Sequence, residues 1–187
     1  MPLKPGEDGL RSGGNWLTGD AYYQLTNGYR TSFFRLQVQP VYGVPWEQED
    51  FRRFLETGER TVDPGDPMFA KIEDRRRTGR IGRRVYAIRP PLTDYQRYVF
   101  VAYHAFAEAG EDLRIIDLAR TPDPGLPGFD FILLDDETVL KLHYEPDGRY
   151  LGRELLPEAD LAEFRRYKEL AGAYSMPFLE YEESGIG

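Results

Sequence analysis

Nine basic residues (Lys71, Arg75, Arg76, Arg77, Arg80, Arg83, Arg84, Arg89 and Arg97) and three acids (Glu73, Asp74 and Asp94) fall between positions 71 and 97. That window carries six positive charges in excess, within a 187-residue chain whose net charge is −8. Guanidinium groups bind phosphate and carboxylate through paired N–H donors, so the window is a candidate site for an acidic partner protein or a phosphorylated small molecule or nucleotide. Arg83 and Arg84 precede an expected strand that can aim one of them inward. A solvated helix face accounts for Arg75 to Arg80 just as simply, since charge runs are usually solvated. The acidic balance of the rest argues against direct nucleic-acid binding, which uses surplus Lys and Arg.

The two histidines offer acid–base chemistry. His104 falls beside Phe100, away from Tyr95 and Ala102, and reads as a packed or interfacial residue. Strand alternation sets His143 with Val139 and Lys141, opposite Leu140, Leu142 and Tyr144, on what is expected to be the wetter face. An exposed strand histidine is the plain reading; general acid–base catalysis with Asp136 as the accompanying carboxylate is the alternative. Glu111, Asp112, Asp117, Asp130, Asp135, Asp136 and Glu137 cluster at expected strand ends, where a hard cation can bind, but they lack the spacing of a calcium loop. They read as turn residues or arginine partners, as does Asp94 beside Arg97. Tyr95, Tyr98 and Tyr103 either line a pocket or pack a helix. With no Cys and only two His, no zinc site and no cofactor are expected. Gly79 and Gly82 resemble a phosphate loop only in spacing, because no Lys-Ser or Lys-Thr follows. No complete catalytic motif emerges, and enzymatic activity is not expected.

These candidates need a scaffold, and 41% hydrophobic with 14% aromatic residues supplies a core. The fold class expected is α+β: a single domain over 16–181, with a mixed or antiparallel sheet of about five to six strands and about four to five helices. Residues 1–15 and 182–187 read as tails. Thr18 caps a first helix closed by Asn27 and Gly28, and Ser32 to Gln39 alternates as a strand. Pro45 opens a helix stopped by Thr57 and Gly58, and a basic helix runs from 68 to 77. A strand follows over 83–88. Thr93 and Gln96 have capping-box spacing before a helix that reaches Gly110. Residues 113–118 form a buried strand, and 129–134, 138–144 and 149–155 a meander. Pro157 is expected to open the last helix. The Cys-free composition, the absence of an apolar leader and the lack of a long apolar run fit a cytoplasmic protein away from the membrane.

Taken together, Gly82-Arg-Arg-Val85, Pro91-Leu-Thr-Asp-Tyr-Gln-Arg-Tyr98, Ala109-Gly-Glu-Asp-Leu-Arg-Ile-Ile-Asp117, Leu126-Pro-Gly-Phe-Asp-Phe131, Leu134-Asp-Asp136, His143-Tyr144 and Gly148-Arg-Tyr-Leu-Gly152 carry a resemblance. From about Trp16 to Tyr181 the chain resembles an uncharacterised actinobacterial family of unknown function, often encoded beside helix-turn-helix regulators of the xenobiotic-response-element type. Two positions depart from that pattern: Ile132 stands where the family commonly has an aromatic, often Trp, and Ala107 where it has an Asn-type residue. The region from the buried strand to Asp136 is also similar to half of a phospholipase D-like domain. Its His-x-Lys-x4-Asp motif would fall on Phe129, Phe131 and Asp136, leaving only the carboxylate.

The resemblance implies a non-catalytic regulatory or signalling accessory protein whose partner is a protein, such as a helix-turn-helix regulator. The candidate binding residues are Arg83, Arg84, Asp94, Tyr95, Arg97, Tyr98 and His143. The competing expectation is an enzyme or ligand sensor for a phosphorylated small molecule, with the arginines as anion ligands and His143 as acid or base.

Overall fold

Phe34 and Leu36 of the first strand (β1, Ser32–Gln37) point to one side of the sheet, and Phe33, Arg35 and Gln37 to the other. Both sets are enclosed because helices cover both faces. The structure, a computed structural model, describes residues 14–185. It is a single α+β domain with six helices and a seven-stranded mixed sheet ordered β6-β5-β4-β1-β2-β3-β7. The further strands are β2 (Ile81–Ile88), β3 (Asp112–Asp117), β4 (Asp130–Leu134), β5 (Thr138–Tyr144), β6 (Tyr150–Leu155) and β7 (Met176–Pro177). Strands β1, β2 and β3 are parallel, and every other pair is antiparallel.

Parallel neighbours require long crossovers, and helices supply them. Helices α2 (Gln48–Thr57) and α3 (Pro67–Thr78) lie between β1 and β2, and α4 (Asp94–Glu108) between β2 and β3. Helix α4 starts where expected: the Thr93 hydroxyl accepts the Gln96 N–H at 3.1 Å while the Gln96 side chain accepts the Thr93 N–H at 2.9 Å. Its Tyr95, Tyr98, Phe100, Tyr103 and Phe106 form the larger core with Tyr86, Ile88 and Ile115 of the sheet. Helix α1 (Gly19–Gly28) covers β4 and β5 on the same side through Tyr22. Helix α5 (Leu161–Tyr174) covers the opposite side, setting Phe164 and Ala171 on Phe34, Val85, Ile116 and Phe131.

Three expectations need correction. The seventh strand, β7, is two residues long and has no alternation to read; it is held by pairing with β3. The sixth helix, α6 (Phe178–Glu183), extends past position 181 and buries Phe178 and Tyr181 against Phe100. Helix α5 starts at Leu161, capped by the Asp160 carboxylate on the N–H groups of Ala162 and Glu163, because the Leu156 N–H pairs with Val139 and keeps the chain extended past β6. At the other end, the Asn15 carbonyl accepts the Leu155 N–H at 2.8 Å, so the chain is already tied to β6 there. The remainder of the expected tails, 1–13 and 186–187, lies outside the described residues. Among the described residues no helix is long and apolar enough to cross a membrane.

The β4–β5 turn carries a pH-dependent clamp. Asp135 and Asp136 both adopt positive φ (53° and 58°), which Asp tolerates better than most side chains. The Asp135 carboxylate accepts the N–H groups of Arg30 (2.8 Å), Thr31 (2.7 Å) and Ser32 (3.0 Å). Burial alone would raise its pKa, but these donors outweigh that and hold it well below the usual carboxylate range. A depressed folded-state pKa means that the stabilisation is present above the unfolded value of about 4 and is lost as pH falls through the folded value. Asp135→Asn is therefore expected to lower stability by about 1–2 kcal/mol at pH 7. The gap from the parent should narrow in urea titrations repeated below pH 3; an equal gap at both pH values contradicts the assignment.

Candidate ligand cavity

Arg35 sits in the middle of the sheet on the side covered by α1 and α4, a position where charge is rare unless paired. Its side chain is 12% exposed, and its partner is Asp130 on the neighbouring β4, at 3.6 Å. Asp130 is fully buried and also accepts the Val38 N–H (2.9 Å) and the Tyr42 hydroxyl (2.7 Å). Burial pushes the Asp130 carboxyl above its ordinary pKa, while Arg35 and the two donors pull it back. Tyr42 lies in the loop after β1, so one carboxylate binds β1, β4 and that loop together.

Above Arg35 lies a cavity of about 60 Å³. Arg35 and Gln37 form its floor with Leu142 and Tyr144; Trp46 and Glu47 come from the loop, and Tyr95 and Tyr103 from α4. Arg60, from the link between α2 and α3, closes one side, its guanidinium 3.7 Å from the Tyr98 ring and bonded to the Tyr98 carbonyl at 2.8 Å. Most polar groups are satisfied within the wall: Tyr95 donates to Glu47 at 2.6 Å, and Tyr103 to Gln37 at 2.9 Å. Four buried donors of lining residues, Arg35 Nε, Trp46 Nε1, Arg60 Nε and the Tyr150 hydroxyl, have no hydrogen-bond partner among the described residues, although Arg60 Nε lies 3.5 Å from the Asp50 carboxylate. A buried donor left unpaired costs about 1–3 kcal/mol, so an acceptor entering the cavity recovers that energy. A buried water needs roughly 10–15 Å³; the space accommodates a few waters or the polar end of a small molecule. The aromatic walls suit flat or apolar groups. Among the described residues no group of three or more His, Asp or Glu is placed to hold a metal ion.

The model of a family described as Domain of unknown function (DUF6879) matches residues 20–183, from α1 to the end of α6. The chain belongs to DUF6879. No curated protein matches it. The DUF6879 span includes every residue of the cavity named above.

Within this DUF6879 domain the sequence-derived candidates do not converge. Of the seven binding candidates only Tyr95 lines the cavity. Arg84 turns inward, where its Nε lies 3.2 Å from Glu111, whereas Arg83 faces the α5 side and pairs with Asp112 at 2.6 Å. Asp94 and Arg97 pair with each other at 2.7 Å in the first turn of α4, both largely exposed. Tyr98 donates to Asp50, linking α4 to α2. His143 lies 3.0 Å from Glu154, with its ring 4.7 Å from that of Trp16. Asp136 instead pairs with Lys168 of α5 at 2.7 Å. The face expected to be wetter is so at Lys141 and His143, both half-buried where Leu140 and Leu142 opposite are buried, whereas Val139 is 1% exposed and joins the core beneath α5. His104 is half-exposed and pairs with Glu182 at 2.7 Å.

The plain reading of the charge run holds for Arg76 and Arg77, which pair on the surface with Glu73 and Asp74, whereas Arg75 is buried. Phe131, one of the phospholipase-like positions, is fully buried with its ring 5.0 Å from that of Phe164, and Phe129 lies beneath the Lys141 ammonium. Ile132 is fully buried in the core beneath α1, outside the cavity, and Ala107 packs on the larger core. Arg35 was missed, although a signal exists: an arginine within Phe33-Phe34-Arg35-Leu36, apolar on both sides, marks an internal polar site. Trp46 carries no comparable mark.

Proposed function

We propose that this DUF6879 domain is a non-catalytic, cytoplasmic regulatory module that senses a small molecule bearing a hydrogen-bond acceptor, such as a carboxylate or carbonyl, in the Arg35 cavity. The observation that carries the reading is the set of buried donors without a hydrogen-bond partner among the described residues, Arg35 Nε and Trp46 Nε1 with Arg60 Nε and the Tyr150 hydroxyl, all on residues lining one aromatic-walled space. Arg83, Arg84 and Arg97 lend less support to an arginine-lined phosphate pocket, because each already has a carboxylate and they lie apart. An occupied cavity would alter the Tyr42–Trp46 loop, the natural place to signal to a protein partner. A helix-turn-helix regulator is the partner that the sequence resemblance favours.

The chain has two tryptophans, so an amide correlation spectrum contains two indole N–H peaks, assignable by Trp46→Phe. Titration with a panel of small carboxylic acids and neutral carbonyl compounds is expected to move the Trp46 peak saturably. Arg35→Met should weaken that binding about tenfold or more, since a hydrogen bond to a charged group contributes about 1.5–3 kcal/mol. A Trp46 peak that no compound moves, or equal affinity in Arg35→Met, overturns the reading.

A further inference from the structure

A second concave site lies between α1 and α3. This groove, about 280 Å³, is lined by Tyr23, Tyr29, Lys71, Asp74, Arg75 and Arg80. Behind it Arg84 and Arg75 share the buried carboxylate of Glu111, one guanidinium to each oxygen. Asp74 is occupied in the same way by Arg80 and Arg77. The Arg80 guanidinium also donates to the carbonyls of Asn27 and Tyr29, fixing it across the end of α1. Lys71 is the exception. Among the described residues no carboxylate lies within ion-pair distance of its ammonium, which has the Tyr23 ring centroid at 5.3 Å. Around the groove the buried or half-buried Lys71, Arg75, Arg80 and Arg84 face Asp74 and Glu111, two positive charges in excess, and the exposed Arg77 adds a third on Asp74.

We propose that this groove binds a doubly charged oxyanion of the phosphate-monoester class, with the Lys71 ammonium as its principal ligand and the Tyr23 ring beside the esterified group. A dianion offsets the excess of the half-buried groups, and an ammonium without a carboxylate has donors to give. This site is separate from the Arg35 cavity and does not rest on it. The protonation of Lys71 adds a signature. Burial, then the like charges of Arg84 and Arg75, push its pKa down to about 8, against the weaker pull of Glu111. Phosphate monoesters become dianionic above roughly pH 6, so binding is strongest between there and about 8 and fades as Lys71 deprotonates.

The test is titration of the full chain with phenyl phosphate and with inorganic phosphate, followed by backbone amide shifts of residues 67–82 at pH 7 and pH 9.5. Saturable binding is expected at pH 7, about tenfold weaker at pH 9.5 and in Lys71→Gln. Lys71→Arg should bind at both pH values. Arg35→Met should bind as the parent does; loss in that variant would place the anion in the other cavity and overturn the assignment. No saturable shift at pH 7, equal affinity at the two pH values, or a folded Lys71→Gln that binds normally would each overturn it. The pH comparison uses the parent protein and stands even if a variant fails to fold.

Discussion

Glu111→Ala is expected to lower the free energy of unfolding by about 3–5 kcal/mol, the range for removing one partner from a buried ion pair. The Glu111 side chain is 2% exposed and holds Arg75 from α3 and Arg84 from β2 at once. Without it two guanidinium groups stay buried with weak substitutes, namely the Tyr29 hydroxyl and the Phe33 ring for Arg75 and the Met68 sulfur, at 3.0 Å, for Arg84. The strand leaves room for this arrangement: a Cβ at Gly82 would fall 2.3 Å from Arg75 Cζ. Glu111→Gln keeps an acceptor and should lose less. Urea denaturation at neutral pH measures both, and a Glu111→Ala variant within 1 kcal/mol of the parent would show that the network does not secure α3 to the sheet.

Asp130→Ala should cost a similar amount, about 3–5 kcal/mol, for the same reason. It removes the counter-charge of Arg35 and leaves the Val38 N–H and Tyr42 hydroxyl without their acceptor. The loop carrying Trp46 is anchored through Tyr42, so the variant should also broaden or shift the Trp46 indole peak. Combining Asp130→Asn with Arg35→Met removes both charges while preserving shape and an acceptor oxygen, and should recover most of the loss. The coupling between the two sites, measured in a double-mutant cycle, is expected to exceed 1 kcal/mol. Independent effects would mean that Arg35 is compensated elsewhere, and the cavity would lose its cationic floor.

Local signals carried most of the architecture. The cap at Thr18, the box formed by Thr93 and Gln96, the left-handed Gly58 and Gly79 after their helices, and the alternation in β5 each depend on residues a few positions apart. Where the local signal is weak, the structure departs from it: β7 is too short to alternate, and α5 starts at Leu161, after its Asp160 cap, because pairing to β5 overrides the helix-opening preference of Pro157.

The basic window shows the boundary most clearly. Its composition identified an arginine-rich segment, and alternation required Arg83 and Arg84 to face opposite ways. Which of them would be buried, and against what, depended on Glu111, 36 positions from Arg75, brought there by the parallel pairing of β2 with β3. The cavity depended on longer reach still, with Asp130 lying 88 positions from Tyr42 and meeting Arg35 only because β4 inserts beside β1. Local sequence set most of the elements, their caps and the pleat of the longer strands, because those energies arise between near neighbours. Tertiary packing decided which charges were neutralised and which were not, as at Lys71, and which donors, as at Arg35 and Trp46, found no partner among the described residues, because a charge's environment is set by whatever packs against it in space.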